Sequence, residues 1–262
     1  MLMATGRLQE AGNHARSALD IAPDSILNLD VYGRVRLAQG RIEEAESTFQ
    51  RILEMDEKYA HGWNGMARVD AARGRHLEAV SNFESALAVL PDWPVAMVNR
   101  GLSLLKMGEI EQGVSSILQA TERAPRMAEA WLALVDGLLE ANRYNDALDA
   151  ANTLLEIKPN LHSSHDAMGR VRSALGQTKK ARESFDAARG LAEQPSDVLN
   201  NLAALTRLEG NVVESKALIT QALSFDATRV EYWNNLGLAE LDDGDGAEAI
   251  ACFDHGLQLD PS

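Results

Sequence analysis

The chain is poor in the residues that would point to chemistry, to a membrane or to nucleic acid. It has one cysteine, Cys252, so no intrachain disulfide can form and nothing marks an oxidising compartment. Positive charge is scarce: 25 Lys and Arg stand against 39 Asp and Glu, a net charge of −14. The averaged field repels polyanions, and no basic run offsets it, so neither a nucleic acid nor an anionic membrane surface is an expected partner. No run of about 18 apolar residues occurs, which excludes a membrane-spanning helix and with it membrane insertion. The opening Met1-Leu2-Met3-Ala4-Thr5-Gly6 lacks a charged region followed by an apolar stretch, so no signal peptide is expected and a cytoplasmic setting is. Also missing are a Gly-x-Gly-x-x-Gly turn, a phosphate loop, a serine elbow and any strand pattern that could hold paired catalytic carboxylates. Catalysis and cofactor binding are therefore not expected.

What the chain does have is an internal repeat of 34 residues. One column reads Gly6, Gly40, Gly74, Gly108, Asn142, Gly176, Gly210 and Gly244. Asn is the other residue that tolerates left-handed backbone, so the column predicts a helix C-terminus in every copy. Five residues on, Ala11, Ala45, Ala79, Gly113, Ala147, Ala181, Ser215 and Ala249 are all small. Four further on stand large apolar residues, among them Phe49, Phe83, Ile117, Phe185, Ile219 and Phe253. Within 26–59, Leu29, Val31, Tyr32 and Val35 supply one apolar helix face, and Ile42, Ala45, Phe49, Ile52 and Leu53 supply another. Each copy is thus predicted to be two amphipathic helices. Gly33, Ala67, Gly101, Gly169, Ala203 and Gly237 are expected to let the two approach closely, facing the small column of the second helices.

These columns resemble the tetratricopeptide repeat family, whose Trp, Leu-Gly, Ala, Phe, Ala and Pro recur at fixed offsets within 34 residues. Trp233, Leu236, Gly237, Gly244, Ala249, Phe253 and Pro261 stand at those offsets, with Gly256 where Ala is usual. Trp63 and Trp131 hold the Trp place in two other copies, and His165 holds it in a third. The resemblance covers essentially the whole chain. It implies an all-α, right-handed superhelical solenoid of helix-turn-helix repeats, whose first helices line a concave groove for a peptide or protein segment.

The register divides the chain into a partial repeat, mainly a second helix, over 1–25 and seven repeats at 26–59, 60–93, 94–127, 128–161, 162–195, 196–229 and 230–262. One continuous solenoid domain is expected. Such arrays are normally capped by polar helices, and none is evident at either end of the register. This favours a section of a larger protein or end-to-end self-association.

Three constellations could suggest metals. His162 and His165 are three apart at a helix start, as are Cys252 and His255, but neither pair has a second pair to complete a four-ligand site. His165, in the Trp place, reads as a packed interface residue. Asp242-Asp243-Gly244-Asp245-Gly246 lacks the alternating ligand positions of a calcium loop and reads as an acidic turn between helices. No metal is expected.

Carried over residue by residue, the resemblance places three zones on the groove. The first is basic and polar: Arg34, His61, Asn64 and Arg68. The second is apolar, with Val98, Leu102, Leu105 and Leu132, and its branched aliphatics suggest an anchor for a partner side chain. The third is rich in amides: Asn200, Asn201, Asn234 and Asn235. Asn99, Asn201 and Asn235 resemble the asparagine ladder of O-linked N-acetylglucosamine transferases, which Val31, Gly65, Ala133 and Ala167 interrupt here. The family's carboxylate clamp is not expected, because Asp30, Asn64, Gly65 and Val98 stand where its cations would be. Arg34 and Arg170 follow Asp30 and Asp166 by four residues, a spacing that predicts intrahelical ion pairs. The expected function is a non-catalytic, bacterial protein-interaction scaffold. The alternative is the substrate-recruiting region of a larger glycosyltransferase or sulfotransferase.

Overall fold

The computed structural model describes residues 7–260. All secondary structure among them is helical, in two compact units, Met1–Ala141 and Asn142–Ser262. The division falls inside 128–161, where the sequence reads one continuous domain. Residues 1–5, expected to be the tail of a first helix, lie outside the described residues, as do Gly6 and Pro261.

The first unit holds α1 (Leu8–Ile21), α2 (Ile26–Ala38), α3 (Ile42–Met55), α4 (Ala60–Ala72), α5 (His76–Val89), α6 (Pro94–Lys106), α7 (Ile110–Arg123) and α8 (Ala128–Glu140). The second holds α9 (Tyr144–Ile157), α10 (His162–Ala174), α11 (Thr178–Leu191), α12 (Ser196–Leu208), α13 (Val212–Phe225), α14 (Val230–Asp243) and α15 (Gly246–Leu259). In each unit a helix packs mainly on its sequence neighbours, so α4 lies against α3 and α5, and α12 against α11 and α13. Among the described residues no helix is long and apolar enough to cross a membrane.

The glycine column ends the first helices as its spacing predicts. Gly40, Gly74, Gly108, Gly176, Gly210 and Gly244 all have positive φ, and Asn142 takes the same conformation at φ 56°. The left-handed residue turns the chain so that the next amide reaches back to the last helical turn. Arg41 N–H donates to the Arg36 carbonyl at 2.9 Å, Gln177 to Arg172 at 2.8 Å and Asp245 to Glu240 at 2.9 Å. These bonds satisfy carbonyls that the helix end would otherwise orphan. The acidic turn continues in the same way: the Asp245 side chain accepts from Glu248 N–H at 3.1 Å and so caps α15.

Packing within a pair depends on a ring seated over a glycine. A Cβ at Gly33 would lie 2.8 Å from the Phe49 ring, one at Gly169 2.5 Å from Phe185, and one at Gly237 2.6 Å from Phe253. The expected partner of these glycines was the small column, and Gly101 does meet the Gly113 carbonyl that way. Elsewhere the aromatic fills the space. Phe49, Phe83 and Phe185 are all but fully buried, and each such burial contributes roughly 1.5 to 3 kcal/mol.

Two further devices join successive pairs. The indole N–H of Trp63 donates to the Glu57 carbonyl at 2.8 Å, Trp131 to Pro125 at 2.9 Å and Trp233 to Ala227 at 2.8 Å. His165 Nε2 stands 2.7 Å from the Pro159 carbonyl and makes the same six-residue tie. Ion pairs supply the second device. Arg73 and Arg75, in the α4–α5 turn, meet Glu46 of α3 at 2.7 and 3.1 Å, and Arg75 also holds Asp70 at 2.6 Å. In the second unit Lys216 of α13 holds Glu240 and Asp243 of α14 at 2.6 and 2.8 Å.

Candidate functional site

In the first unit the candidate site lies on α2, α4 and α6. Leu27, Val31 and Arg34 share one stripe of α2 by their spacing, as do His61, Asn64 and Arg68 on α4, and Val95, Asn99 and Leu102 on α6. Leu27, Val31, Val95 and Leu102 are exposed apolar side chains. Val31 therefore departs from its expected place on the packed face. A cavity of about 610 Å³ opens between α4 and α6, and Arg68, Ala72, His76, Asn99, Leu102 and Lys106 are among the residues that line it.

The polar groups here are incompletely satisfied. Asp30 is buried, and while its Oδ2 meets Arg34 at 3.5 Å, its Oδ1 has no partner. Asn64, also buried, leaves Oδ1 without a donor, and the buried His76 Nδ1 is likewise unpartnered. Arg68 is half-buried, and among the described residues no group accepts a hydrogen bond from it. Burial pulls its guanidinium below the ordinary value, and the positive charge of Arg34 acts in the same sense. The favourable charge it feels, Asp30, is already held by Arg34.

The same columns in the second unit are bonded to one another. Asn201 Nδ2 donates to Asp166 Oδ1 at 2.8 Å, Asn235 Nδ2 to Asn200 Oδ1 at 2.8 Å, and the Tyr232 hydroxyl to Asp197 at 2.6 Å. Arg170 reaches Asp166 at 3.1 Å, so both intrahelical pairs predicted from the sequence form. Burial raises the Asp166 carboxyl above its usual range, against the pull of Arg170 and Asn201. Burial likewise lifts the Tyr232 hydroxyl to about 12, helped by the carboxylate it donates to.

The proposed apolar zone is divided. Leu102 is 39% exposed, but Val98 at 5% and Leu105 at 7% are buried, and Leu132 is half-buried. Leu105 is drawn inward because Gly113 and Gly137 leave room for it: a Cβ at either would lie about 3 Å from its methyl groups, at 2.8 and 3.2 Å. Of the amide zone, Asn200, Asn201 and Asn235 are half-buried in the ladder, and Asn234 is exposed with its Oδ1 against Gly256. His61 is exposed and lies tilted against the Trp93 ring, their centroids 4.6 Å apart. Leu27, His76 and Lys106 were missed by the sequence reading. Lys106, one turn beyond Leu102 on the same stripe, could have been found by spacing. Of the candidate metal pairs, His255 lies 4.1 Å from the Trp233 ring and Cys252 is buried, while His162 is exposed beside His165, which is tied to Pro159. Among the described residues no cluster of three or more potential ligands could hold a metal.

Comparison with known proteins bears on the fold. Family models described as tetratricopeptide repeat match residues 2–69, 98–162 and 230–262. No curated protein sequence matches. Among solved structures, the chain is similar to one from the APC/C hetero-tetramer Cut9-Hcn1, with TM-score 0.75 and 15% identity over 97% of this chain and 50% of that one. It thus spans about half the length of that relative. A tetratricopeptide repeat protein of Parabacteroides merdae aligns with TM-score 0.72 and 15% identity over 91% of this chain and 94% of that one. A thermophilic repeat protein of Thermus thermophilus aligns with TM-score 0.63 and 22% identity over 70% of this chain and 99% of that one.

Proposed function

Because the chain belongs to the tetratricopeptide repeat family, an all-α helical-repeat fold, we propose that it is a non-catalytic scaffold that holds a protein or peptide segment on the first-helix face of its first unit. The observation that carries this reading is the coincidence of unused hydrogen-bonding groups with apolar exposure. Arg68, half-buried on the cavity wall, finds no acceptor among the described residues, and Leu27, Val31, Val95 and Leu102 are exposed on the same three helices. A partly desolvated guanidinium without an acceptor forgoes hydrogen bonding that a ligand oxygen entering the cavity can supply. Exposed aliphatics on the same helices give that ligand an apolar anchor.

The reading is tested by capturing partners with the unaltered chain and with Leu102→Asp, checking each for native helicity by circular dichroism. Loss of the captured partner in the folded variant is expected. Equal capture by both would move the binding surface away from this face.

A further inference from the structure

The distribution of charge and apolar surface on α2, α4 and α6 goes further and selects a class of ligand. We infer that the face takes an extended peptide carrying an acidic side chain between two aliphatic ones, with the carboxylate at Arg68 and the aliphatics at Leu27–Val31 and at the Leu102 cavity. This rests on the reading above that the face binds a peptide.

The carboxylate follows from Arg68. In a chain of net charge −14 most arginines find an acid; Arg73, Arg75, Arg182 and Arg207 each do so within 3.2 Å. Arg16 and Arg126 lack an acceptor among the described residues, but both are exposed and water serves them. Arg68 is half-buried and lacks one. Lys106, on the same cavity wall, has no partner among the described residues either. The acids across the cavity, Asp136 and Glu140, have interactions of their own. Arg68, half-buried without an acceptor and with the exposed Lys106 on the same wall, is complementary to a ligand anion, and its guanidinium fork suits a carboxylate in particular.

The flanking aliphatics follow from position. Arg68 stands on the middle helix of the three, with Leu27 and Val31 exposed on α2 to one side and Leu102 on α6 to the other. A chain that ended at Arg68 would leave one of these stations empty, so the carboxylate belongs to a side chain within the segment. Packed helices lie about 8 to 10 Å apart and an extended chain advances about 3.3 Å per residue, which separates neighbouring stations by about three residues. The motif is therefore aliphatic-x-x-acidic-x-x-aliphatic.

The test uses fluorescence anisotropy with labelled, end-blocked peptide pools of the form Leu-x-x-Glu-x-x-Leu, the same with Gln for Glu, and a pool that ends at a free C-terminal Glu after Leu-x-x. The full chain should bind the Glu pool about tenfold more tightly than the Gln pool at low salt, and the preference should shrink as salt screens it. Arg68→Gln should abolish the preference while Gln-pool binding persists, and Arg68→Lys should keep part of it. Equal binding of Glu and Gln pools would overturn this inference and leave the scaffold reading standing. Binding of the truncated pool as tightly as the full one would overturn the internal placement. Failure of every pool to bind a natively helical chain would overturn the peptide reading of this face itself.

Discussion

The two units repeat the same columns on the same helices, yet their first-helix faces differ in what the side chains do. In the second unit the residue at the start of each bond finds its partner one repeat on: Asp166 with Asn201, Asn200 with Asn235. In the first unit the equivalent of Asp166 is Asp30, and its partner place is Gly65, which has no side chain to offer. A Cβ at Gly65 would lie 2.3 Å from the Phe49 ring, so core packing excludes the amide that the face would need. One face is closed on itself, and on the other the oxygens of Asp30 and Asn64 stay buried without donors. The frame beneath both is alike; Gly65 accounts for the missing donor at Asp30, whereas Asn64, whose partner place holds Asn99, leaves its Oδ1 without a donor all the same.

If the frame is common, breaking it should cost the same on both sides. Phe49→Ala and Phe185→Ala remove equivalent buried rings, and each should destabilise its own unit by about 3 to 5 kcal/mol in chemical denaturation. A cost confined to one unit would show that the glycine-ring contact is not the shared device. Filling Gly65 is the next largest effect. Gly65→Ala should cost about 1 to 3 kcal/mol through overpacking against Phe49, whereas the equivalent place in the second unit already carries the side chain of Asn201.

The faces themselves should respond unequally to loss of an amide. Asn201→Ala strips a donor from the buried side of Asp166 and should cost about 1 to 3 kcal/mol. Asn64→Ala removes an oxygen that already lacks a donor and should cost less stability than Asn201→Ala. Similar costs for both would dissolve the distinction between a closed and an open face.

Titration sharpens the contrast further. Hydrogen bonds from Arg73 and Arg75 hold the Glu46 carboxyl below its ordinary 4.5, and the Tyr32 hydroxyl does the same for Glu44. A depressed carboxyl contributes stability above its unfolded value and loses it as pH falls through the folded one, so the first unit should weaken below about pH 4.5. Tyr232, lifted from 10.0 to about 12, contributes below its unfolded value and loses that contribution as pH rises from 10 to 12. Glu46→Gln should flatten the acid limb and Tyr232→Phe the alkaline limb when denaturation midpoints are followed against pH. The smallest effect is expected at His165→Trp, which restores the indole tie to Pro159 and should change stability by less than about 1 kcal/mol.

The sequence made the helices, their ends and the acidic turn legible because these depend on local rules: a left-handed residue every 34 positions, and apolar spacing of three and four. The intrahelical pairs of Arg34 and Arg170 were legible for the same reason. The site was legible only in part. On α6 Leu102 is exposed, whereas Val98 and Leu105, which spacing alone reads as groove anchors, are buried. The space left by Gly113 and Gly137 on neighbouring helices, which pulls Leu105 inward, is invisible from α6 alone.

By itself the sequence determined that this protein is a helical repeat, because that outcome follows from periodicity summed over many copies, each enforcing the same backbone turn and the same small-against-large contact. Only the tertiary structure decided which polar groups on the repeat are satisfied. Satisfaction depends on a partner some 35 residues away, as between Asp166 and Asn201, and on whether a ring such as Phe49 already occupies the place where that partner would stand.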